Sequence, residues 1–185
     1  MRRDDRPSAR RLDRQLLERE LVAVDLETTG YEAQSERIIE IGAVRIRLGP
    51  DGAIELGERF LTFADPGRPL TPAIRRLTGI ADEHLAGAPT GEEAVVGFAH
   101  FAFRDGPPVL VGHNIGFDVA FLERAGMPLG AERLDTADLA SILLPSAASY
   151  ALQRVAADAA ITPDAAHRAL DDAITSALEI GRAHV

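Results

Sequence analysis

The sequence predicts an α/β domain in which a mixed five-stranded sheet carries helices on both faces. Two observations predict this class: three apolar, strand-like segments follow one another early in the chain, and strand and helix patterns alternate after them. The chain has 185 residues, 46% of them hydrophobic, which is enough for one domain with a sizeable core.

The first three strands are predicted to form an antiparallel meander. Residues 21–26, with the sequence Leu-Val-Ala-Val-Asp-Leu, are a dense apolar run that is typical of a buried strand. Residues 38–48 and 54–63 give the next two strands, and Gly-Pro-Asp-Gly at 49–52 between them is a hairpin turn signal. Short links between consecutive strands favour antiparallel pairing.

The rest of the chain alternates helices with two short strands. Thr90 is the predicted N-cap of a helix over 90–104, because Glu92 and Glu93 follow it in the first turn. The long crossover then makes the apolar strand at 107–111 pair parallel to an earlier strand. A last strand is predicted at 133–135, and the other predicted helices span residues 71–77, 117–125, 136–143, 149–157 and 166–183.

One folded domain, residues 20–185, is predicted to follow a basic leader, residues 1–19. The leader holds seven Arg and four acidic residues. Its polar start, residues 1–9, is predicted to be mobile. The stretch after it has Leu12, Leu16 and Leu17 at helical spacing, which predicts a short helix that either caps the domain's own core or docks a partner.

Composition restricts the chemistry of the protein. The chain has no Cys, so any metal must be bound by oxygen or imidazole, and cysteine nucleophiles and disulfides are excluded. The net charge is −9 and every basic residue is Arg, which does not indicate a general basic patch for nucleic acid. No apolar run reaches the roughly 18 residues of a membrane span, and the N-terminus lacks a signal-peptide core, so we expect a cytoplasmic protein with no membrane partner.

Two carboxylates stand two residues apart at the end of the first predicted strand. Asp25 and Glu27 would project from the same face of a continuing strand, with Cα atoms roughly 7 Å apart. Two acids on one face of an apolar strand are costly unless a cation meets them, and a divalent metal does so best. Alternatively, the strand ends before them and both acids are solvated in a turn.

A third acid follows the predicted parallel strand. Asp118 ends the segment Gly-His-Asn-Ile-Gly-Phe-Asp and would open the next helix. Ligands of open α/β sheets bind at the carboxyl ends of the strands, so Asp118 would lie beside Asp25 and Glu27. Alternatively, its only role is to complement the helix dipole.

The last helical stretch contains His167, Asp171 and Asp172. Five residues on a helix turn by about 500°, so His167 and Asp172 reach one site only if His167 lies before the helix or in its first turn. Asp171 points about 100° away from Asp172 and is predicted to be a solvated acid. The alternative for His167 is a structural role near the helix start.

These three segments, in this order, resemble the three exonuclease motifs of the DEDDh, or DnaQ-like, family. The matching patterns are Asp-x-Glu-Thr-Thr-Gly from Asp25, Asn-x-x-Phe-Asp from Asn114, and His followed by four residues and Asp from His167. The segment Leu-Thr-Gly-Ile at 77–80 is similar to the family segment against which the terminal nucleotide packs. The resemblance implies an RNase H-like fold and 3′→5′ hydrolysis of phosphodiesters with two Mg²⁺ or Mn²⁺ ions.

The resemblance also implies a role for each matching residue. The four metal ligands would be Asp25, Glu27, Asp118 and Asp172, and His167 would be the general base that takes a proton from water. Thr28 matches the position beside the scissile nucleotide. The other implied substrate contacts are Leu77, Thr78, Gly79, Ile80 and Asn114. Gly79 would allow close approach of the backbone to the nucleotide, and Leu77 or Ile80 could pack beneath the terminal base.

The predicted function is therefore a metal-dependent 3′→5′ exonuclease that releases nucleoside 5′-monophosphates from single-stranded or frayed ends, with DNA favoured over RNA. The predicted partners are single-stranded DNA or RNA 3′ ends and a polymerase or another replication or repair protein. One alternative is an inactive module that binds nucleic-acid ends or recruits a partner. Another is a Mg²⁺ or Ca²⁺ binding module, although the EF-hand spacing of acids is absent.

Overall fold

The structure is a computed structural model, and it describes residues 20–49, 53–127, 130–161 and 167–182. The predicted basic leader with its short helix, and turn residues 50–52 of the predicted hairpin, lie outside the described residues. The described strands are β1 (Leu21–Thr28), β2 (Ile38–Leu48), β3 (Ile54–Phe63), β4 (Val109–Gly112) and β5 (Glu132–Asp135).

The five strands form one mixed sheet in the order β3-β2-β1-β4-β5. β1 pairs antiparallel with β2, and β2 with β3, so the predicted meander is confirmed. β4 runs parallel to β1 and to β5, as the long crossover requires. The carboxyl ends of the three parallel strands therefore meet at one edge of the sheet, where open α/β sheets bind their ligands.

The described helices are α1 (Pro72–Thr78), α2 (Asp82–Leu85), α3 (Gly91–Ala102), α4 (Gly116–Arg124), α5 (Thr136–Leu143), α6 (Leu152–Asp158) and α7 (Ala169–Arg182). Among the described residues, no helix is long and apolar enough to span a membrane. The predicted helices are all present. The helix at 136–143 has the predicted bounds and the others have shifted ends, whereas α2 was not predicted because four residues are too few to show a helical period.

Capping explains where two of the predicted helices begin. Thr90 caps α3 as predicted: its hydroxyl accepts the Glu93 backbone N–H at 3.3 Å, and the Glu93 carboxylate accepts the Thr90 N–H at 2.9 Å. The helix predicted from residue 149 begins later, because the Ser149 hydroxyl accepts the Ala151 N–H and forms a turn before α6.

Helices cover both faces of the sheet, as predicted. On one face, α3 and α4 pack on β1 and β2 in a buried cluster that includes Val24, Ile41, Phe98 and Leu122. On the other face, α7 packs on the same two strands through a cluster that includes Ala177 and Ile180. β1 is thus buried on both faces, which explains its nearly continuous apolar sequence.

The start of α7 lies directly on β2 because Gly42 has no side chain. A Cβ at Gly42 would stand 2.0 Å from the backbone nitrogen of Leu170 and 2.2 Å from the carbonyl carbon of Ala169, which no side chain tolerates. Gly42 pairs with Asp25 across the β1–β2 ladder. This close approach brings the first turn of α7 next to the acidic end of β1.

Candidate active site

Strand β1 continues through both of its acidic residues. Glu27 is 8% exposed and Asp25 is half-buried, so the alternative of two solvated acids in a turn is not what the structure shows. The β1–β2 register shifts between Glu27 and Thr28, a bulge at the end of the ladder. Such irregularities re-aim side chains at the edges of sheets.

Asp118 lies in the first turn of α4 and reaches back to β1. It is 3% exposed, and its Oδ1 accepts the Leu26 backbone N–H at 3.0 Å. Since Leu26 lies between Asp25 and Glu27, this hydrogen bond holds the third carboxylate beside the first two. A role in complementing the helix dipole would also place Asp118 in the first turn of α4. Its side chain, however, is hydrogen-bonded to β1.

His167 precedes α7 and Asp172 lies in its first turn, the arrangement that the spacing requires. The His167 backbone N–H donates to Asp172 Oδ2 at 3.1 Å. His167 has a φ of 61°, and its side chain is exposed. Asp171 is half-buried, so it is only partly in water, and its charge adds to burial in raising the pKa of Asp172.

Potential metal-ligand atoms converge at this edge of the sheet. Glu27, His167 and Asp172 each offer one such atom, and these atoms lie within 4.8 Å of one another. Burial raises the pKa of Asp25, and the charges of Asp118, Asp172, Glu27 and Glu40 raise it further. We call the four motif acids, Asp25, Glu27, Asp118 and Asp172, the carboxylate cluster. The sequence motifs from three distant parts of the chain are thus brought together.

Burial raises the pKa of every acid in the carboxylate cluster, and the charges of neighbouring carboxylates raise it further. Burial is the largest cause at each position. Together with the charges of Asp172 and Glu40, it raises the pKa of Glu27 to about 8. It also raises the pKa of Asp118 to about 8, although the hydrogen bond from Leu26 acts to lower it.

The carboxylate cluster can therefore bind hard divalent cations. Buried carboxylates are stable as anions only when a cation or hydrogen-bond donors compensate them. Oxygen ligands are the ones that Mg²⁺ and Mn²⁺ prefer, and the exposed His167 adds an imidazole beside them. The donor set fits such metals, while the identity and number of the ions remain predictions.

The residues predicted to contact the nucleotide differ in their accessibility. Leu77 is 46% exposed at the end of α1, whereas Ile80 is 1% exposed and packs in a cluster with Ile39 and Leu85. The prediction that Ile80 could pack beneath a base is therefore corrected, because its side chain is part of the core. Leu77 remains available for that contact.

Three other predicted contact residues have structural partners. The Thr28 hydroxyl donates to the Gly30 carbonyl at 2.7 Å, and the buried Thr78 hydroxyl donates to the Ile74 carbonyl at 3.0 Å. Gly79 ends α1 with a φ of 68°, so its glycine is explained by the left-handed cap. A nucleotide could still meet the exposed backbone of Gly79.

Asn114 lies in the turn between β4 and α4. It is exposed, with a φ of 61°, and its backbone N–H donates to Asp135 Oδ1 at 3.0 Å. Its neighbour His113 is held separately: its Nε2 donates to the Tyr150 carbonyl at 2.6 Å. Burial acts to lower the pKa of His113, but the Glu179 carboxylate nearby raises it overall.

Two contacts that support the site were not predicted from the sequence. Gln153 on α6 donates to Asp172 Oδ1 at 3.2 Å. Glu40 on β2 is fully buried and accepts two hydrogen bonds from Arg168. The available signal was a single acid within the apolar run of β2, which is costly unless it is paired.

Proteins of similar sequence include chains of bacterial DNA polymerase III. The chain is 31% identical over 176 residues to the DNA polymerase III epsilon subunit of Aquifex aeolicus, covering 92% of this chain and 83% of the relative. It is 37% identical over 162 residues to the PolC-type DNA polymerase III of Clostridium perfringens, covering 85% of this chain. The chain spans only 11% of that PolC relative's length.

Solved structures with the same fold are exonucleases. A structure of E. coli exonuclease I in complex with a dT13 oligonucleotide has a TM-score of 0.71 at 18% identity, over 89% of this chain and 40% of that one. Exonuclease X in complex with 5′ overhanging duplex DNA has a TM-score of 0.65 at 25% identity, over 88% of this chain and 90% of that one. These likenesses confirm the RNase H-like fold.

The family model described as exonuclease (RNase_T) matches residues 22–180 of the chain. That range includes all three motif segments and every member of the carboxylate cluster. With its fold, its convergent acids and this match, the chain belongs to the exonuclease family of DnaQ-like nucleases.

Proposed function

We propose that this protein is a 3′→5′ exonuclease that hydrolyses phosphodiester bonds at single-stranded or frayed DNA ends and releases nucleoside 5′-monophosphates. The observation that carries the proposal is the convergence of Asp25, Glu27, Asp118 and Asp172 with His167 at the carboxyl end of β1. Four neighbouring acids whose pKa values are raised by burial suit metal-assisted hydrolysis.

The four carboxylates would hold two Mg²⁺ or Mn²⁺ ions. When bound, such ions supply positive charge that lowers the pKa of the attacking water and stabilises the departing 3′ oxygen. The chain's own contribution is to fix the ligands: the Leu26 N–H holds Asp118, and the His167 N–H and Gln153 hold Asp172. Little rearrangement is then needed when the cations and the substrate bind.

His167 would act as the general base. Its ring is exposed beside the carboxylates, and an imidazole is the side chain that most often serves as a general base in enzymes. The alternative of an inactive module that binds nucleic-acid ends is not favoured, because binding alone does not require the intact ligand set or an exposed His167.

Exposed apolar side chains support a single-stranded substrate. Tyr31 is 83% exposed just after β1 and lies edge-on to Phe117, the residue before Asp118. Leu77 is exposed at the end of α1. Unstacked bases pack on such side chains, whereas opening a paired end costs a few kcal/mol.

DNA is the substrate we propose, because the relatives are DNA polymerase III chains and the similar exonucleases I and X were solved with DNA. By the same likeness, the proposed partner is a replicative polymerase. The cytoplasmic location and the boundary of the domain at residue 20 remain predictions from the sequence.

A nuclease assay on oligonucleotides labelled at the 3′ or the 5′ end tests this function. We expect mononucleotides to be released first from a 3′-hydroxyl end of single-stranded DNA in Mg²⁺ or Mn²⁺, and no release in EDTA. A matched RNA oligonucleotide decides between the two nucleic acids. Internal fragments as first products, or activity that resists the chelator, would contradict the proposal.

A further inference from the structure

An ion pair between the buried Glu40 and the partly exposed Arg168 lies next to the carboxylate cluster and does not belong to it. Glu40 is 0% exposed on β2, and its two oxygens accept hydrogen bonds from Arg168 Nε at 3.2 Å and Nη2 at 2.7 Å. Glu40 Oε2 also accepts the Ala169 backbone N–H at 3.1 Å. One carboxylate on the sheet thus binds two consecutive residues of the segment that leads into α7.

Glu40 and Gly42 act on the same short segment. They are two residues apart on β2, so they lie on the same face of the strand. Gly42 allows the backbone of Ala169 and Leu170 to lie against the strand, and Glu40 fixes Arg168 and Ala169 there. The position of the first turn of α7 relative to the sheet is therefore set by two residues of β2.

This anchored segment is flanked by His167 and Asp172. The φ of 61° at His167 is a conformation that a residue other than glycine keeps only when its surroundings hold it. Its backbone N–H is bonded to Asp172, and the Asp172 N–H donates to the Arg168 carbonyl at 3.0 Å. Anchoring Arg168 therefore fixes a closed turn with His167 at its start.

We infer that Glu40 and Arg168 are positioning residues for His167, which hold its imidazole beside Glu27 and Asp172. This inference rests on the proposed function, in which His167 takes a proton from water. Neither residue belongs to the carboxylate cluster, because Glu40 is fully buried and bonded, and Arg168 is cationic. Both act through the backbone turn that they anchor.

A double-mutant cycle separates this role from general stabilisation. Arg168→Gln removes the two-point hydrogen bond, and it is made in the parent and in His167→Ala. If Arg168 acts through His167, we expect the single-turnover rate at saturating Mn²⁺ to fall by about 10-fold or more in the parent and by less than about 2-fold in His167→Ala. KM for a single-stranded oligonucleotide should change little.

Two further variants complete the design. Arg168→Lys keeps the charge but not the bidentate geometry, so we expect a smaller loss of the single-turnover rate. This variant replaces Arg168→Gln in the cycle if Arg168→Gln does not fold. The matched control is Arg45→Gln. Arg45 lies on β2 like Glu40, and the substitution breaks its ion pair with Glu20, in which the two charged atoms are 2.8 Å apart. It should lower the melting temperature without lowering the rate at a temperature where the protein is folded.

Two rate results would overturn the inference: an equal loss from Arg168→Gln in both backgrounds, or no loss in the parent. If the parent releases no mononucleotides in a chelator-sensitive reaction, it is the proposed function that fails. The position of the His167 ring is then measured without an activity assay, from the broadening of its NMR signals by Mn²⁺. The broadening should weaken in Arg168→Gln, and unchanged broadening would show that Arg168 does not position the ring.

Discussion

Buried charges at the two ends of the β1–β2 pair differ in how they are compensated. Beyond the start of β1, the Arg45 guanidinium is bonded to Glu20 at 2.8 Å and to Asp105 at 3.1 Å, so its charge is compensated within the chain. At the carboxyl end of β1, four acids are gathered and burial raises the pKa of each. The first arrangement stabilises the fold, whereas the second suits the divalent cations that we propose it binds.

Glu40 lies next to the carboxylate cluster, but unlike the acids of the cluster it forms an ion pair with Arg168. It stands opposite Glu27 in the β1–β2 ladder, yet its oxygens are occupied by Arg168 and Ala169. Among neighbouring buried acids, the paired one belongs to the scaffold and the others form the site. Compensation within the chain, more than burial, therefore separates the structural charges from those of the proposed site.

The largest expected effect is on the chemistry at the acidic end. His167→Ala should lower the rate of nucleotide release by about 10² to 10⁴, the usual contribution of a positioned general base, with little change in binding of the oligonucleotide. His113→Ala is the matched control, because His113 is bonded to the Tyr150 carbonyl. Single-turnover rates check the pair, and a greater loss from His113→Ala would contradict the assignment.

At the opposite end, the expected effect is on stability alone. Arg45→Gln should lower the free energy of unfolding by about 1–3 kcal/mol, because Glu20 and Asp105 lose a partner but stay partly in water. The rate of nucleotide release per folded molecule should be unchanged. Denaturant unfolding and the nuclease assay measure the two quantities. A large loss of rate would mean that the two ends of the strand are coupled.

Removing one charge from the carboxylate cluster should stabilise the protein in EDTA. Asp118→Asn keeps the oxygen that accepts the Leu26 N–H but removes a charge from the crowded group. We expect its melting temperature in EDTA to rise by about 2–4 °C, corresponding to about 1 kcal/mol in a chain of this size, while most activity is lost.

Mn²⁺ should raise the melting temperature of the parent and have a smaller effect on Asp118→Asn, since metal binding to the folded state stabilises it. Asp138→Asn, at an exposed position on α5, is the control and should behave like the parent. Thermal scans of the three proteins decide the matter. If Asp138→Asn matches Asp118→Asn, or Mn²⁺ leaves the parent unchanged, the proposed metal site is wrong.

The last expected effect is a pH dependence of stability in EDTA. The pKa values of Glu27 and Asp118 are about 8 in the folded protein and near 4 in an unfolded chain. Between these values the folded state binds more protons, so the free energy of unfolding falls as pH rises towards 8. Melting temperatures should decrease from pH 6 to about pH 8 in EDTA, and less so in Asp118→Asn. A rise over this range would contradict the raised pKa values.

The strands and the motif residues could be predicted from the sequence because their signals are local. β2 and β3 have the predicted bounds, and the position of His167 before α7 follows from its spacing to Asp172. Apolar runs and turn residues act over a few positions, so periodicity reveals them. The resemblance of three ordered motifs then indicated which acids would meet, and the structure brings those acids together.

Which of the predicted contact side chains are exposed to a substrate depends on tertiary packing. Leu77 and Ile80 are three residues apart in one segment, yet one is exposed and the other belongs to the core, because α1 packs against β2. The pairing of Glu40 with Arg168 joins residues 128 positions apart, and Gly42 receives α7 across a similar separation. Such contacts depend on how the elements pack, and no local pattern in the sequence encodes that packing.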